Sequence, residues 1–255
     1  MREDSHMFER LGAGAIAISL MAGSAMAQDR VFDFEGFTRV DIAEGVIATL
    51  HPGPFQVQAT ARRGNIDRLV IEQDGDVLRV ERRAPVIRSV LNSTDRFEVA
   101  IHMPELARIV SRAGAVVTSD VPVTDRFEGR ALHGASLHIE GAASEETTLS
   151  ASGGASLQFE GRAGEADILV ENGSTMRLAG DCTDLSAEIR AGAHLNAGQM
   201  QCHNLDVSAR AGADAVLYGD QTAEVNARFG ASVRVLGDPR VENSGHSFGG
   251  AVRFN

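Results

Sequence analysis

The sequence has no lysine and no tryptophan, and its 255 residues include a single tyrosine and only two cysteines. All 24 basic side chains are therefore arginines, and they face 35 Asp and Glu residues, which gives a net charge of −11. An acidic chain without a basic cluster is unsuited to nucleic acid, whose phosphates need concentrated positive charge. Aromatic residues make up only 5% of the chain, so its core must be built from small and branched aliphatic side chains.

The first 27 residues have the features of a secretory signal peptide. Arg10 precedes an apolar stretch over residues 11–21, and Ala25-Met26-Ala27 places small residues at a cleavage site. A buried N-terminal helix is the alternative interpretation, and the stretch is too short for a membrane span. No later segment is apolar enough to cross a membrane as a helix. We therefore expect an exported protein, in the periplasm or at the cell surface, with a mature chain of residues 28–255.

A short glycine motif recurs through the second half of the chain at intervals of 18 to 20 residues. The central glycines of the motif are Gly114, Gly134, Gly154, Gly173, Gly192, Gly212, Gly230 and Gly249. A second glycine usually follows seven residues later, as at Gly141, Gly161, Gly180, Gly219 and Gly237. A repeat of this kind indicates a stacked architecture, because one unit cannot bury its apolar face alone.

The residues around each central glycine alternate between apolar and polar. Leu137, Leu157 and Met176 stand three residues after their glycines, and the next position is polar in nearly every unit. Such alternation predicts strands with one buried face, so each unit is predicted to be a strand, a glycine turn, a second strand and a connection. Glycine is expected at the turn because a positive φ and the close approach of the next coil both exclude a Cβ. The prediction is an all-β fold, a β-solenoid with coils of 19–20 residues, with a β-sandwich or propeller as the competing architecture.

Residues 28–108 lack the glycine repeat but still have the composition of strands. The predicted strands cover residues 32–37, 38–42, 46–50, 55–61, 69–72, 77–81 and 97–103. Asp74-Gly75-Asp76 is a hairpin signal, and residues 84–96 are predicted as a loop. We expect this strand-rich part to cap the repeats of residues 109–255 within one solenoid domain, because an uncovered end would pair with other chains.

The order of these segments resembles a bacterial family of exported proteins, the autotransporter adhesin head GIN domain. The resemblance rests on residues 34–37 (Phe-Glu-Gly-Phe), Gly45-Val46, residues 69–71 and 76–80, and Met103-Pro104-Glu105-Leu106 leading into Gly114. It implies a right-handed parallel β-helix, a role in adhesion and no recognised catalytic residues.

Three columns of side chains share a position in the repeat and are candidate sites. Arg190, Arg210 and Arg228 would form a ladder of guanidinium groups suited to an anionic polymer. The alternative is a plain solvated face, with Glu171 and Glu188 close by. Asp120, Glu140 and Glu160 would stack as carboxylates able to hold a cation or act as acid and base. Acidic residues beside turns more often serve solubility, and we favour that interpretation.

The third column is polar and lies beside the turns. It consists of Ser136, Ser156, Thr175, His194, Asp214 and Ser232. His194 and Asp214 would be neighbours, but nucleophilic catalysis also needs an oriented nucleophile and an oxyanion site. No histidine has metal-ligand spacing with cysteine. We predict no catalytic residues, no metal and no cofactor.

The two cysteines share a phase of the repeat. Cys182 and Cys202 each stand ten residues before a central glycine, which places them on adjacent coils about 4.8 Å apart, within disulfide range. Their flanking residues, 181–184 and 201–204, are predicted as connections. Export permits oxidation, so a disulfide is expected, with a pair of unlinked thiols as the alternative.

The function predicted from the sequence is a non-catalytic adhesion or structural scaffold of the cell envelope. Its partner would be an envelope glycan, another protein or a second copy of the chain. A polysaccharide-binding module or a polysaccharide-modifying enzyme is the alternative, although the near absence of Tyr and Trp counts against glycan stacking.

Overall fold

The computed structural model describes residues 28–83 and 95–255, which form a β-solenoid of stacked parallel coils. The predicted signal peptide and most of the predicted loop at residues 84–96 lie outside the described residues. The strands are β1 (Gln28–Phe32), β2 (Arg39–Ile42), β3 (Ile47–Pro52), β4 (Gln56–Arg63), β5 (Leu69–Asp74), β6 (Val77–Arg82), β7 (Arg96–Met103), β8 (Leu106–Arg112), β9 (Val116–Ser119), β10 (Val123–Leu132), β11 (Ser136–Ser152), β12 (Ser156–Glu171), β13 (Thr175–Arg190), β14 (His194–Arg210), β15 (Asp214–Arg228), β16 (Ser232–Leu236), β17 (Arg240–Ser247) and β18 (Ala251–Phe254). A short 3₁₀ helix, Ile66–Arg68, precedes β5.

The repeat sets the register between coils, as the sequence predicts. Leu137 pairs with Leu157, and Leu157 pairs with Met176, and all three side chains are fully buried. The same alternation continues down the stack, so an apolar side chain of each coil packs against the equivalent apolar side chain of the next coil. The predicted solenoid is confirmed, and its core is the column of aliphatic side chains inside the coils.

Each central coil has three sides instead of two strands and a connection. The strand after the glycine turn forms the post-turn side, a middle run forms the third side, and the strand before the next turn forms the pre-turn side. The middle runs pair in register, as Ala163 does with Cys182. The prediction that residues 181–184 and 201–204 are connections is wrong, because β13 and β14 continue through them. In both segments the cysteine is buried while the residues on either side of it are exposed, which is the alternation of a strand.

The turn glycines are required by their backbone conformation and not by close packing. A Cβ built on Gly192 meets no atom within 4 Å, so close approach does not explain glycine at this position. Its φ of 69° does explain it, because that region strains residues with a side chain. The residue before it, Ala191, also has a positive φ, of 56°. The turn therefore has two left-handed residues, of which the sequence pattern revealed one.

Close approach between coils occurs at some of the second glycines of the motif. A Cβ on Gly180 would lie 1.8 Å from the carbonyl oxygen of Gly161, and one on Gly237 would lie 2.2 Å from that of Gly219. These glycines stand where the chain turns from the post-turn side into the third side. Stacked coils touch there through their backbones, and no side chain fits between them.

The N-terminal strands are stacked in an order that differs from the sequence. On the pre-turn side the order is β5, β6, β2, β8 and β10, and on the post-turn side it is β1, β4, β7, β3 and β9. The coil formed by β2 and β3 is therefore inserted between the later coils β6–β7 and β8–β9. Its turn, at Glu44 and Gly45, has the same left-handed pair of residues as the glycine repeat.

The strand predicted for residues 32–37 is wrong. The observed strand, β1, covers Gln28–Phe32, and residues 33–38 form no strand. Phe37 is instead fully buried against the core and lies 4.9 Å from the ring of Phe55, measured between centroids. This side chain packs into the core from a segment that has no in-register strand partner.

Candidate binding face

A shallow groove of about 650 Å³ runs along the outer surface of the pre-turn side, across β10 to β14. Its walls are the outward-facing side chains of strands whose alternate residues are buried in the core. In-register stacking arranges these side chains in three rows, which cross the strands at intervals of about 4.8 Å. We call this surface the pre-turn face.

The first two rows carry hydroxyl groups, carboxylates, one arginine and one apolar side chain. The first row consists of Glu128, Thr148, Asp167, Ser186 and Asp206. The second row consists of Arg130, Ser150, Leu169, Glu188 and Ser208. Such rows offer many hydrogen-bond donors and acceptors, together with a small apolar patch at Leu169.

The third row contains the arginine ladder. Arg190 pairs in register with Arg210, and Arg210 pairs with Arg228, so the predicted column exists. Arg190 donates hydrogen bonds to Glu171 at 2.6 Å and to Glu188 at 3.1 Å, and Arg210 donates to Glu188 at 2.6 Å. The hydrogen bond to Glu171 raises the pKa of the Arg190 guanidinium above its ordinary value. Two of the three cations are thus balanced by Glu171 and Glu188, the carboxylates that the sequence places close to the ladder.

A similar arrangement surrounds Arg112, near the N-terminal end of the same side. Its Nε donates to Asp41 at 3.0 Å, and its Nη2 lies 3.5 Å from Glu81. Burial favours the neutral form, but the hydrogen bond to Asp41 and the two negative charges more than offset it, so the pKa of Arg112 is raised. These contacts join three coils whose residues are far apart in the sequence.

The acidic column predicted at Asp120, Glu140 and Glu160 lies along the edge of the post-turn side. The Nδ1 of His51 lies 2.9 Å from Asp120 Oδ1, and the Nε2 of His138 lies 2.6 Å from Glu140 Oε1. Within residues 28–83 and 95–255, no three His, Cys, Asp or Glu side chains converge to hold a metal ion. Asp120 and Glu140 therefore each contact a different histidine instead of sharing one site.

His194 and Asp214 are register partners, as predicted. The His194 Nδ1 lies 3.5 Å from Asp214 Oδ2, and both side chains are 58% exposed. Ser232 continues the column beyond Asp214. The ring is therefore loosely held in solvent, without the fixed orientation that a catalytic base needs.

The two cysteines meet on the third side of the solenoid. Cys182 and Cys202 are register partners with Cα atoms 4.5 Å apart, and the structure joins their sulfur atoms in a disulfide. Both residues are buried, so the pair lies inside the coil and away from the pre-turn face.

The fold defines a class of protein, a β-solenoid whose stacked coils arrange outward side chains in rows. Residues 36–239 match the model of the family described as "Putative auto-transporter adhesin, head GIN domain". This match covers most of the sequence, so the chain belongs to that family, and the resemblance drawn from its segments is confirmed.

Solved structures of bacterial proteins share the fold. A "putative adhesin" from Parabacteroides distasonis aligns with a TM-score of 0.76 and 13% identity, over 90% of this chain and 97% of that one. Another "putative adhesin", from Parabacteroides merdae, aligns with a TM-score of 0.74 and 14% identity, over 91% of this chain and 97% of that one. A "putative adhesin" from Bacteroides fragilis aligns with a TM-score of 0.65 and 11% identity, over 91% of this chain and 98% of that one. No curated protein sequence matches the chain.

The residues described by the structure include no helix long and apolar enough to cross a membrane.

Proposed function

We propose that the protein is an exported, non-catalytic scaffold of the cell envelope that adheres through its pre-turn face. The observation that carries this proposal is the groove, in which hydroxyl and carboxylate groups repeat at the spacing of the coils. A ligand with repeated polar groups can contact several coils in the same way. Membership of an adhesin family supports the same role.

The ligand that fits these rows is a neutral, hydroxyl-rich glycan. Asp167 and Asp206 are exposed carboxylates in the groove, and Glu171 and Glu188 add negative charge beside the arginines. Carboxylates accept hydrogen bonds from sugar hydroxyls, whereas an acidic polysaccharide would meet like charge. Because carboxylates balance two of the three ladder arginines, we favour a neutral ligand over the anionic polymer considered from the sequence.

The experiment that tests this function combines an array of neutral and acidic glycans with turnover assays on the polymers that bind. The proposal predicts binding to neutral glycans with no change in their chain length. Hydrolysis or elimination products would favour the alternative, a polysaccharide-modifying enzyme. Absence of binding to every glycan would contradict the glycan-binding role.

A further inference from the structure

Two phenylalanines lie side by side on the surface, at neighbouring glycine turns of the repeat. The rings of Phe229 and Phe248 are stacked, with their centroids 5.0 Å apart and their planes within 6° of each other. Phe229 is 57% exposed and Phe248 is 76% exposed. The core uses this residue type differently, since Phe37, Phe97 and Phe159 are all fully buried. Packing in the core therefore does not account for the stacked pair.

The backbone of the turn does not account for the two rings either. Phe229 and Phe248 have positive φ angles of 54° and 51°, a conformation that strains residues with bulky side chains. The earlier turns have smaller or polar residues at the same position: Ala113, His133, Gly153, Asn172, Ala191 and Ala211. Strained residues of this kind cluster at sites where function requires them. The exposure of the rings and their backbone conformation thus both indicate a binding role.

One face of the Phe229 ring is open to a ligand. The turns stack in the order Ala211, Phe229 and Phe248, because the N–H of Gly212 donates to the Phe229 carbonyl and that of Gly230 donates to the Phe248 carbonyl. Phe248 covers one face of the Phe229 ring, so the other face lies on the side of Ala211. The methyl group of Ala211 is too short to cover it, which leaves Phe229 exposed although a turn lies on each side.

Polar side chains border this ring face along both edges of the turn. The ladder residues Arg210 and Arg228 lie on the pre-turn side and are register partners. Asp214 and Ser232 lie on the post-turn side and are also register partners, and all four side chains are exposed. A guanidinium donates hydrogen bonds, a carboxylate accepts them and a hydroxyl does both. The turn therefore combines an apolar face with hydrogen-bonding groups on either side.

We propose that the open face of Phe229 is a stacking site for one sugar ring of the bound glycan, an inference that rests on the proposed function. A sugar ring has C–H bonds on its faces and hydroxyl groups around its rim. The C–H bonds suit the negative face of an aromatic ring, and the hydroxyl groups suit the flanking side chains. A cation would also suit an aromatic face, but Arg210 and Arg228 would repel it.

The stacking site extends the pre-turn face beyond the groove. The groove ends at β14, and the third row continues through Arg210 on β14 and Arg228 on β15 to the turn that contains Phe229. A glycan that lies along the rows would therefore reach Phe229 after it leaves the groove. Phenylalanine thus supplies the aromatic surface that a chain with one tyrosine and no tryptophan otherwise lacks.

Calorimetric titration of the full chain with the neutral oligosaccharide that binds tightest on a glycan array tests the proposal. Phe229→Asn should weaken binding about tenfold or more, as expected for the loss of an aromatic anchor, and Phe229→Tyr should keep the affinity of the unaltered chain. Asparagine tolerates a positive φ, so Phe229→Asn should not lower the melting temperature. Ala113→Asn is the matched control, because it makes the same replacement at the same turn position outside the groove. It should leave the affinity unchanged.

A second variant tests the open ring face without altering Phe229. Ala211→Leu places a larger side chain on the side of that face and should also weaken binding about tenfold or more. It replaces Phe229→Asn as the decisive variant should Phe229→Asn fail to fold. A lower melting temperature of Phe229→Asn with unchanged affinity would show a purely structural ring and would overturn the proposal.

The groove variant Thr148→Arg separates this proposal from the proposed function. If Thr148→Arg weakens binding and Phe229→Asn does not, the stacking site alone is wrong. If Phe229→Asn weakens binding and Thr148→Arg does not, the stacking site is supported and binding through the groove is contradicted. If no neutral glycan binds the unaltered chain, both proposals are contradicted. An equal loss of affinity in Ala113→Asn would also overturn the stacking site.

Discussion

The N-terminal and C-terminal parts of the solenoid reach the same stacked architecture by different means. In β11 to β15 each coil lies on its predecessor about 20 residues back, and register partners are equivalent positions of one repeat. Near the N-terminus, β2 and β3 lie between coils that come later in the chain. Arg112 there bonds Asp41 across 71 residues.

This difference shows which interactions each part depends on. The repeats need close backbone packing and turn geometry, and their contacts are local enough to form coil by coil. The N-terminal part must close long loops before its strands can pair, which is slow and costly in chain entropy. Ion pairs between distant strands accompany that closure.

The largest expected loss of stability in the repeats comes from adding a methyl group where two coils touch through their backbones. Gly180→Ala places a Cβ against the Gly161 carbonyl oxygen, so a coil must shift, and we expect a loss of about 3 kcal/mol or more in unfolding free energy. Gly192→Ala is the control, with free space around its Cβ and only the cost of a positive φ, about 1–2 kcal/mol. Denaturant unfolding of both variants measures the difference. Equal losses would contradict the assignment of separate roles to the two glycines.

The disulfide should have the next largest effect on stability, and it also lies within the repeats. Oxidised Cys182 and Cys202 close a loop with a sequence separation of 20 residues, which contributes up to about 3 kcal/mol through the unfolded chain. We expect thiol titration of the unfolded, unreduced protein to find no free thiol, and we expect reduction to lower the melting temperature. The double variant Cys182→Ala/Cys202→Ala should melt like the reduced protein. Two free thiols per chain would exclude the bond.

A smaller change, a gain in stability, is expected from a substitution at Ala191, the left-handed turn residue that precedes Gly192. Ala191 has a positive φ, and Asn172 occupies the same turn position one coil earlier. Asparagine tolerates this conformation better than alanine. Ala191→Asn should stabilise the protein by about 1 kcal/mol or less, and Asn172→Ala should destabilise it by a similar amount. Denaturant unfolding measures both changes, and opposite signs would show that turn strain does not limit stability in the repeats.

The smallest expected effect is a loss of stability in acid, which we assign to ion pairs of the N-terminal part and not to the repeats. Hydrogen bonds from Arg30, Arg39 and Arg62 lower the pKa values of Asp67, Asp76 and Glu98, respectively. A carboxyl group with a lowered pKa stabilises the folded state above its unfolded pKa of about 4, and this contribution is lost as the pH falls through the folded value. Because these groups are exposed, the loss should be small.

Melting temperatures at neutral pH and below about pH 4 measure this acid sensitivity. Arg39→Gln should reduce the difference between the two conditions, because it removes the partner of Asp76. Arg228→Gln in the repeats is the control and should leave the difference unchanged. An equal effect of both variants would contradict the assignment of acid sensitivity to the N-terminal part.

The sequence predicts the repeats well because their physics is local and periodic. Leu137, Leu157 and Met176 share an offset, and that offset alone determines their stacking. The insertion of β2 and β3 between later coils could not be predicted, since it depends on contacts between residues without a common period. Gly45 could have indicated that β2 and β3 form a coil, because it forms the same left-handed turn as the repeat glycines.

The candidate site was predicted only in part, for a related reason. Register follows from spacing, so the column of Arg190, Arg210 and Arg228 was predicted. The carboxylates that balance it were also placed nearby by spacing, since Glu171 shares the column and Glu188 lies in the adjacent row, but which guanidinium each one bonds was not predicted. The groove is lined by side chains from β10 to β14 together, so no single repeat predicts it.

Glycan binding by two matched variants tests the central claim most directly. Thr148 is an exposed threonine in the groove, and Thr118 is an exposed threonine on the post-turn side. With a neutral glycan that binds the unaltered chain, Thr148→Arg should weaken binding about tenfold or more by filling the groove, and Thr118→Arg should leave it unchanged. Equal affinities for Thr148→Arg and the unaltered chain, or a loss confined to Thr118→Arg, would contradict adhesion through the pre-turn face.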